Sequence, residues 1–314
     1  MRAAAHTTRS DRWELISALA AACDTPSAGS AATRALGLGL MSREDHTNVF
    51  VLNLPPHASI YLGPEGQLGG EAADRVAGFW RAIGIAPAAD PDHLASLLAL
   101  YAQLGAASDE PGLQPATRQA ITHRRHALLW EHLWPWVPAY TSAVESLGLD
   151  GFTVWARLLR RALAADIAHA GTVDEKPALA LRDAPPPLQP PDSAAALLDA
   201  IVAPIRCGFI VTRHRLAVAA DTIGVGYRLG ERRFALKAML EQDPASTVAW
   251  LADEADHWVG MHTNRSDTTS RWWAARAACS ARSLRDLVRT AETAPPEDRM
   301  PPSPPRRQSR PSIL

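Results

Sequence analysis

Cysteine is scarce in this chain of 314 residues, which contains only Cys23, Cys207 and Cys279. The three lie far apart, so they form neither a CxxC pair nor the framework of a disulfide-stabilised domain. Isolated cysteines are typical of buried thiols in proteins of a reducing compartment. The cysteine content therefore predicts a cytoplasmic protein.

Long apolar runs and a strong net charge are missing as well. No window approaches the roughly 20 uncharged apolar residues that a membrane-spanning helix needs, and Asp11, Arg12 and Glu14 interrupt any N-terminal signal-peptide core. The net charge is -1, which gives no general attraction to nucleic acid or to an acidic membrane surface. We therefore expect no membrane insertion and no nucleic-acid partner.

Residues that favour strands are sparse, whereas alanine, leucine and arginine, which favour helices, are abundant. Apolar residues recur at helical spacing in most segments, as at Trp13, Ile16 and Leu19. The run 49–52 fits a helix or a short strand, and we favour the helix because no partner strand is evident. The composition thus predicts an all-α fold, a compact bundle of many helices.

Proline-rich stretches divide the chain into four parts. We predict a helical core over 1–168, a proline-rich linker over 169–192 and an additional C-terminal helical segment over 193–293. The last part, 294–314, is rich in proline and arginine, which is typical of a disordered tail.

Two Asp-Pro pairs mark predicted helix starts. Asp90 and Asp243 are residues of the type that caps a helix N-terminus, and proline suits the first helical position. We therefore predict helices that begin at Pro91 and Pro244.

Motifs for catalysis are missing. The sequence has no GxSxG nucleophile elbow, and its lone GxG at 224–226 lacks the rest of a phosphate-binding loop. His123, His126 and His132 resemble metal ligands, but their spacing differs from the i and i+4 pattern of helical zinc sites. We predict a protein that is not an enzyme and binds no metal or cofactor. A metal-dependent hydrolase remains an alternative hypothesis.

A second alternative concerns 212–240, where two short helices are joined by a glycine-containing turn. Basic residues outnumber acidic ones there, and a helix-turn-helix with a basic recognition helix would suit a DNA-binding regulator. A helical hairpin with a solvated basic face explains the same pattern. The basic residues are Arg213, Arg215, Arg228, Arg232, Arg233 and Lys237.

Three short motifs resemble a known family. The sequence PPHASIY at 55–61 is similar to the PP-x-x-S-x-Y signature of the TorD/DmsD/NarJ-type chaperones, and PDHL at 91–94 is similar to their DH-L motif. The sequence HLWPWVP at 132–138 resembles their HL-x-x-W-x-P segment. The three motifs follow one another in the family's order, and the resemblance covers roughly residues 10–168.

The resemblance implies an all-helical cytoplasmic chaperone with a TorD-like core. Members of this family bind the apoprotein of molybdopterin-dependent oxidoreductases of the dimethyl sulfoxide reductase type. Many also bind the twin-arginine signal peptide of that enzyme and delay its export until the cofactor is loaded. The partner implied for this chain is such a catalytic subunit or its leader peptide, bound by a monomer or a dimer.

The motifs also imply a peptide-binding groove, in which Asp92 is expected to pair with an arginine of the client. The chain departs from the family in lacking a Phe-Gly-Pro run before Pro55 and in carrying an extra segment, 193–290, which is expected to add to client binding. The residues expected to contact the peptide are Pro55, Pro56, Ser59, Tyr61, Trp80, Asp92, His93, Leu97, Tyr101, His132 and Trp136.

Overall fold

A computed structural model describes residues 9–25, 33–34, 36–39, 41–169, 176–191 and 193–293. Within these ranges the regular structure is helical, and the one strand-like pairing is an isolated antiparallel bridge between His57 and His93. The all-α prediction is therefore confirmed. No helix in the same ranges is long and apolar enough to cross a membrane. The tail predicted over 294–314 lies outside the described residues.

The described helices are named here in chain order. The α-helices are α1 Arg9–Asp24, α2 Arg43–His46, α3 Ala58–Leu62, α4 Gly70–Ala82, α5 Leu94–Asp109, α6 Pro115–Ala127, α7 Val137–Glu145, α8 Asp150–His169, α9 Leu179–Arg182, α10 Ala194–Val202, α11 Pro204–Cys207, α12 Arg213–Ile223, α13 Arg232–Gln242, α14 Pro244–Thr263 and α15 Thr268–Thr293. Two π-helical segments, π1 Thr47–Asn53 and π2 Leu128–Leu133, directly continue α2 and α6. Segments of this rare type often lie near functional sites, and here each adjoins one of the motifs.

The starts of α14 and α2 follow ordinary capping chemistry. The Asp243 side chain accepts a hydrogen bond from the backbone N–H of Ser246 at 3.0 Å, and Pro244 lies in the first turn of α14. At α2, the Ser42 hydroxyl oxygen accepts from the backbone N–H of Asp45 at 2.9 Å. The helix start predicted at Asp243 is therefore confirmed.

The helix start predicted at Asp90 is wrong. Helix α5 begins at Leu94, where the His93 ring accepts a hydrogen bond from the backbone N–H of Ala95 at 3.1 Å. The backbone N–H of Leu94 donates to the carbonyl oxygen of Pro56 at 2.7 Å. A turn therefore precedes α5, because the backbone there bonds to a distant segment instead of continuing the helix.

The run 49–52 is helical, as predicted, but it belongs to π1. The backbone N–H of Leu54 donates to the carbonyl oxygen of Val49 at 2.8 Å, which is the wide i to i−5 bond of a π-helix. Val49 is buried, whereas Val51 and Leu52 are exposed. This segment therefore places two apolar side chains on the surface just before the PPHASIY motif.

The helices of the first half pack in close pairs. Helix α1 lies against α5, and α8 packs on both α7 and α1. Gly105 of α5 directly contacts the Trp13 ring of α1, so a larger residue there would push the two helices apart. The indole N–H of Trp155 in α8 donates to the carbonyl oxygen of Leu19 at 2.9 Å. These contacts hold α5 and α8 against α1.

The C-terminal helices pack directly on the first half of the chain, and a continuous apolar core extends from α1 to α15. The indole N–H of Trp273 in α15 donates to the carbonyl oxygen of Pro135 at 2.7 Å. The guanidinium Nε of Arg206 in α11 donates to the carbonyl oxygen of Pro64 at 2.8 Å. Both acceptors lie near the motifs, so the C-terminal segment supports that region.

The proline-rich segment also packs where the structure describes it, at 176–191. Leu188 is buried, and its backbone N–H donates to the carbonyl oxygen of Arg206 at 3.2 Å. The Ser283 hydroxyl of α15 donates to the carbonyl oxygen of Leu188 at 3.0 Å. The predicted division into core, linker and C-terminal segment stays a prediction, with this part of the linker in contact with α11 and α15.

We expect Trp273→Phe to lower the free energy of unfolding by about 1–2 kcal/mol, because it leaves the buried carbonyl of Pro135 without its donor. Trp272→Phe is the matched control, since the neighbouring Trp272 is half-buried and its ring contacts the Arg276 guanidinium. Urea unfolding followed by circular dichroism measures both variants. Equal destabilisation would show that the indole–carbonyl bond does not join the two halves.

Candidate functional site

The PPHASIY and PDHL motifs are hydrogen-bonded to each other. The backbone N–H of Ser59 donates to Oδ2 of the buried Asp92 carboxylate at 3.0 Å, and the backbone N–H of Ala58 donates to the Asp92 carbonyl oxygen at 3.0 Å. The bond from Leu94 to Pro56 closes the junction on its other side. Asp92 thus satisfies the first N–H groups of α3, whose own N-cap residue provides no side-chain acceptor.

The PPHASIY and HLWPWVP motifs meet through aromatic rings. The rings of Tyr61 and Trp136 stack, with centroids 5.2 Å apart and planes 7° from parallel, and Tyr140 lies edge-on to both. The Tyr61 hydroxyl donates to the Pro55 carbonyl and the Tyr140 hydroxyl to the Leu54 carbonyl, each at 3.0 Å. Burial raises the pKa of Tyr61, so its hydroxyl stays a donor. All three motifs therefore contact one another directly and form one packed unit.

Two histidines lie at the edge of this junction. The rings of His57 and His93 are edge-on with centroids 4.7 Å apart. Burial lowers the pKa of both histidines, so the pair is neutral at pH 7. On the other side of the PDHL motif, the Trp80 indole N–H donates to the carbonyl oxygen of Pro91 at 3.2 Å. Helix α4 thereby holds the turn that precedes α5.

Most residues predicted to contact a peptide are buried, and of the predicted set only Pro55 and His93 are partly exposed. Tyr101 bonds elsewhere: its hydroxyl donates to the Asp166 carboxylate at 2.5 Å, and its ring is edge-on to Trp13. The peptide-binding role of the set stays a prediction, because these side chains make internal contacts here. The buried members are Pro56, Ser59, Tyr61, Trp80, Asp92, Leu97, Tyr101, His132 and Trp136.

The histidines considered as metal ligands do not come together. His132 is buried in π2, with its ring centroid 4.6 Å from that of Phe79, whereas His123 is exposed on α6. Within the described part of the chain, no three His, Cys, Asp or Glu side chains are grouped to hold a metal ion. Burial, together with the positive charge of Arg75, lowers the pKa of His132 to about 4. His132 is therefore a neutral packing group.

An open groove of about 390 Å³ lies on the outer side of the PPHASIY motif. Val51 and Leu68, two of its apolar lining residues, are 60% and 64% exposed, and exposed large apolar side chains in one groove can mark an interaction site. Gly66, at φ +64°, lies so close to the Val202 carbonyl that a Cβ atom would collide with it. The apolar lining residues are Val51, Leu52, Pro55, Ile60, Leu68 and Val202.

The charged part of the groove lining is mainly basic. It is formed by Arg213, Arg232 and Arg233 at the starts of α12 and α13, with Glu231 as the acidic residue beside them. The Arg232 guanidinium donates to the carbonyl oxygen of Val211 at 3.2 Å, and burial lowers the pKa of Arg232. The groove thus combines an apolar wall with an excess of positive charge.

Several basic side chains of 212–240 are paired with acids inside the protein. The two predicted helices form as α12 and α13, but Arg215 pairs with the buried Glu254, and Arg233 pairs with Asp199 at 2.6 Å. These ion pairs disfavour the DNA-binding alternative, since a recognition helix needs free cationic side chains to contact phosphates.

Sequence reasoning missed the apolar wall of the groove. The sequence pattern places Val51 and Leu52 in a run that fits a helix or a short strand, without exposing them, and it does not single out Leu68 within its glycine-rich turn. A lone leucine among four glycines at 63–70 is a signal that could have been used, because such a turn cannot bury it. The sequence pattern does mark Arg232 and Arg233, but as residues that could contact DNA rather than as part of a groove.

Comparison with known protein families agrees with the motifs. Residues 14–142 match the family model named nitrate reductase delta subunit, which describes the NarJ/TorD-type chaperones. Over these residues the chain is similar to this chaperone family. The match includes all three motifs and ends within α7, so α8 to α15 lie beyond it. No curated protein and no solved structure matches the chain significantly.

We expect Asp92→Ala to lower the free energy of unfolding by about 1–3 kcal/mol, because the buried N–H of Ser59 loses its acceptor. Asp92→Asn should cost less, since the amide oxygen can still accept that bond. The exposed Asp90, two residues earlier, provides the control Asp90→Ala. Denaturant titration compares the three variants, and equal losses for Asp90→Ala and Asp92→Ala would contradict the capping role.

The protein should lose stability as the pH falls from 7 to 5, and His132 should cause part of the loss. The pKa of His132 is about 4 in the folded chain, below the ~6.5 of an unfolded histidine. Between these values the unfolded state binds the extra proton, so acid favours unfolding. For this group the expected loss at pH 5 is about 2 kcal/mol.

His132→Gln removes the titrating ring and keeps a polar side chain. Urea titrations at pH 7 and pH 5 should therefore show a smaller loss of unfolding free energy for this variant than for the wild type. The exposed His257 provides the control His257→Gln, which makes the same substitution on the surface. An unchanged pH dependence in His132→Gln would refute the assignment.

Proposed function

We propose that this chain is a cytoplasmic chaperone for the maturation of a molybdopterin-dependent oxidoreductase of the dimethyl sulfoxide reductase type. In this proposal it binds the apo form of the catalytic subunit, or its leader peptide, while the cofactor is inserted and before export or assembly. The family that the 14–142 segment matches acts in molybdoenzyme maturation. The chain's own part is binding, without catalysis of a bond-making or bond-breaking step.

The groove beside the PPHASIY motif is the observation that carries this proposal. Val51, Leu52 and Leu68 are exposed on one surface, and contiguous exposed apolar side chains mark interaction sites. The groove is supported from behind by the interlocked motifs, with Pro55 and Ile60 in its wall. A wall held in place before binding needs less ordering when a peptide docks, which favours affinity.

We infer that the occupant is a short apolar segment of the client with an acidic residue beside it. The apolar wall would take its hydrophobic side chains, and Arg213 would attract its carboxylate. Two adjacent arginines of a leader peptide would be repelled by the basic part of the lining. A twin-arginine leader would therefore place its apolar stretch, rather than its arginines, in the groove.

Asp92 has a different part in this proposal from the one suggested by the family motifs. Its carboxylate bonds to Ser59 and is buried, so it supports α3 instead of pairing with a client arginine. The basic part of the lining comes from α12 and α13, beyond the matched family segment. In this proposal the C-terminal segment contributes to client binding.

Co-production with the molybdoenzyme tests the proposal. We expect the molybdenum content of the purified catalytic subunit to fall several-fold when the chain carries Leu68→Asp, because a carboxylate in the apolar wall opposes docking. Leu229→Asp is the matched control, since Leu229 is 88% exposed, lies outside the groove and gains the same charge. Metal analysis of the subunit gives the result, with melting temperatures to verify that both variants fold.

Calorimetric titration with the purified apo subunit separates binding from maturation. Equal affinity of the folded Leu68→Asp variant and the wild type would place the client away from the groove. A molybdenum content that does not change when the chain is omitted would contradict the chaperone function itself.

A further inference from the structure

A separate pocket of about 620 Å³ lies between α8 and the connection from α14 to α15. Trp134, Ala164 and Ile167 form its apolar floor. It shares no lining residue with the groove described above. Its volume is within the range of pockets that hold small organic molecules.

Arginines dominate the polar side of this pocket, which is lined by Arg160, Arg161 and Arg265. Arg160 pairs with the Glu145 carboxylate, but the same carboxylate also pairs with Arg157 at 2.8 Å. One negative charge therefore serves two guanidinium groups, which leaves an excess of positive charge at the pocket.

The acidic residue in the lining is already engaged by other donors. Oδ1 of Asp267 accepts from the Trp134 indole N–H at 3.2 Å and from the backbone N–H of Ser270 at 3.1 Å, and Oδ2 accepts from the Ser270 hydroxyl at 2.6 Å. Asp267 thus fixes the first turn of α15 and the edge of the apolar floor. The charges of Asp267 and Glu145 act on Arg265, but among the described residues no ion pair joins Arg265 to a carboxylate.

Arg265 is a partly buried cation whose N–H groups have few hydrogen-bond acceptors nearby. Its Nε is buried and has no hydrogen-bond partner within the described ranges. Its two terminal nitrogens each lie 3.4 Å from the Ser142 hydroxyl oxygen, near the outer limit for a hydrogen bond. Burial, and then the positive charge of Arg160, lowers the pKa of Arg265. Such a guanidinium is costly unless an anion reaches it.

We propose that this pocket binds a small organic anion, with its carboxylate or phosphate group on Arg265, Arg160 and Arg161 and its apolar ring against Trp134 and Ile167. A guanidinium group matches such an oxyanion with parallel hydrogen bonds, and an indole offers a flat apolar face. The pocket is independent of the groove, so this inference does not rest on the proposed chaperone function.

Calorimetric titration of the full chain with phenyl phosphate tests the proposal, with inorganic phosphate and phenol as the comparison probes. Phenyl phosphate should bind about tenfold or more tightly than either of the others, because only it uses both sides of the pocket. Arg265→Gln should weaken its binding by about tenfold or more, as expected for a lost charge-assisted contact. Inorganic phosphate binding as tightly as phenyl phosphate would overturn the proposal, and so would the absence of saturable binding.

Two further variants keep the test decisive if Arg265→Gln folds poorly. Arg161 is exposed, so Arg161→Gln should fold normally and still weaken phenyl phosphate binding several-fold. Arg289→Gln removes the same charge from an exposed arginine of α15 outside the pocket, and it should leave the affinity unchanged. Equal weakening by Arg161→Gln and Arg289→Gln would mean non-specific attraction and would overturn the proposal. Melting temperatures verify the fold of each variant.

Discussion

The hydrogen bond from the Ser59 backbone to the Asp92 carboxylate holds the central part of this protein together. Like any α-helix, α3 leaves its first N–H groups without partners inside the helix, and its own N-cap side chain provides no acceptor. The acceptor comes from 33 residues away. Because an unsatisfied buried N–H costs about 1–3 kcal/mol, the turn before α5 stabilises α3 by supplying this acceptor. That junction fixes the backbone from which Pro55 and Ile60 reach the groove.

Local sequence patterns predicted the helices well. The predictions failed where a hydrogen bond to a distant segment determines the position at which a helix begins. Asp243 caps α14 because its acceptor and its donor are three residues apart, which is visible in the sequence. Asp90 has the same appearance, but the chain there bonds to Pro56, and no local rule contains that bond. The run 49–52 was correctly predicted to be helical, yet the π turn that exposes Val51 follows from the hydrogen-bond register rather than from residue type.

The candidate site shows a second limit of sequence reasoning. The motifs contain aromatic, acidic and imidazole side chains, and these types suit both peptide binding and internal packing. Tyr61 stacks on Trp136, and Asp92 caps α3, so here the motifs build the support of a groove. The basic part of the groove lining comes from α12 and α13, which are far away in sequence. Asn53 brings them close, since its Oδ1 accepts from the backbone N–H of His214 in the first turn of α12 at 2.9 Å. A motif search cannot find a lining made by such a contact.

Three partly buried arginines differ in whether the protein itself satisfies their hydrogen-bond donors. Burial lowers the pKa of Arg232, Arg276 and Arg265 alike. The first two donate to backbone carbonyls, Arg232 to Val211 and Arg276 to Ile205 at 2.8 Å, so their charges hold neighbouring segments together. Arg265 has only long contacts to one hydroxyl and lies at the edge of a pocket of 620 Å³. The Arg265 guanidinium is not satisfied by backbone acceptors, and it lies beside an apolar floor. A ligand with an oxyanion group and a ring would therefore find a partner for each of its two parts.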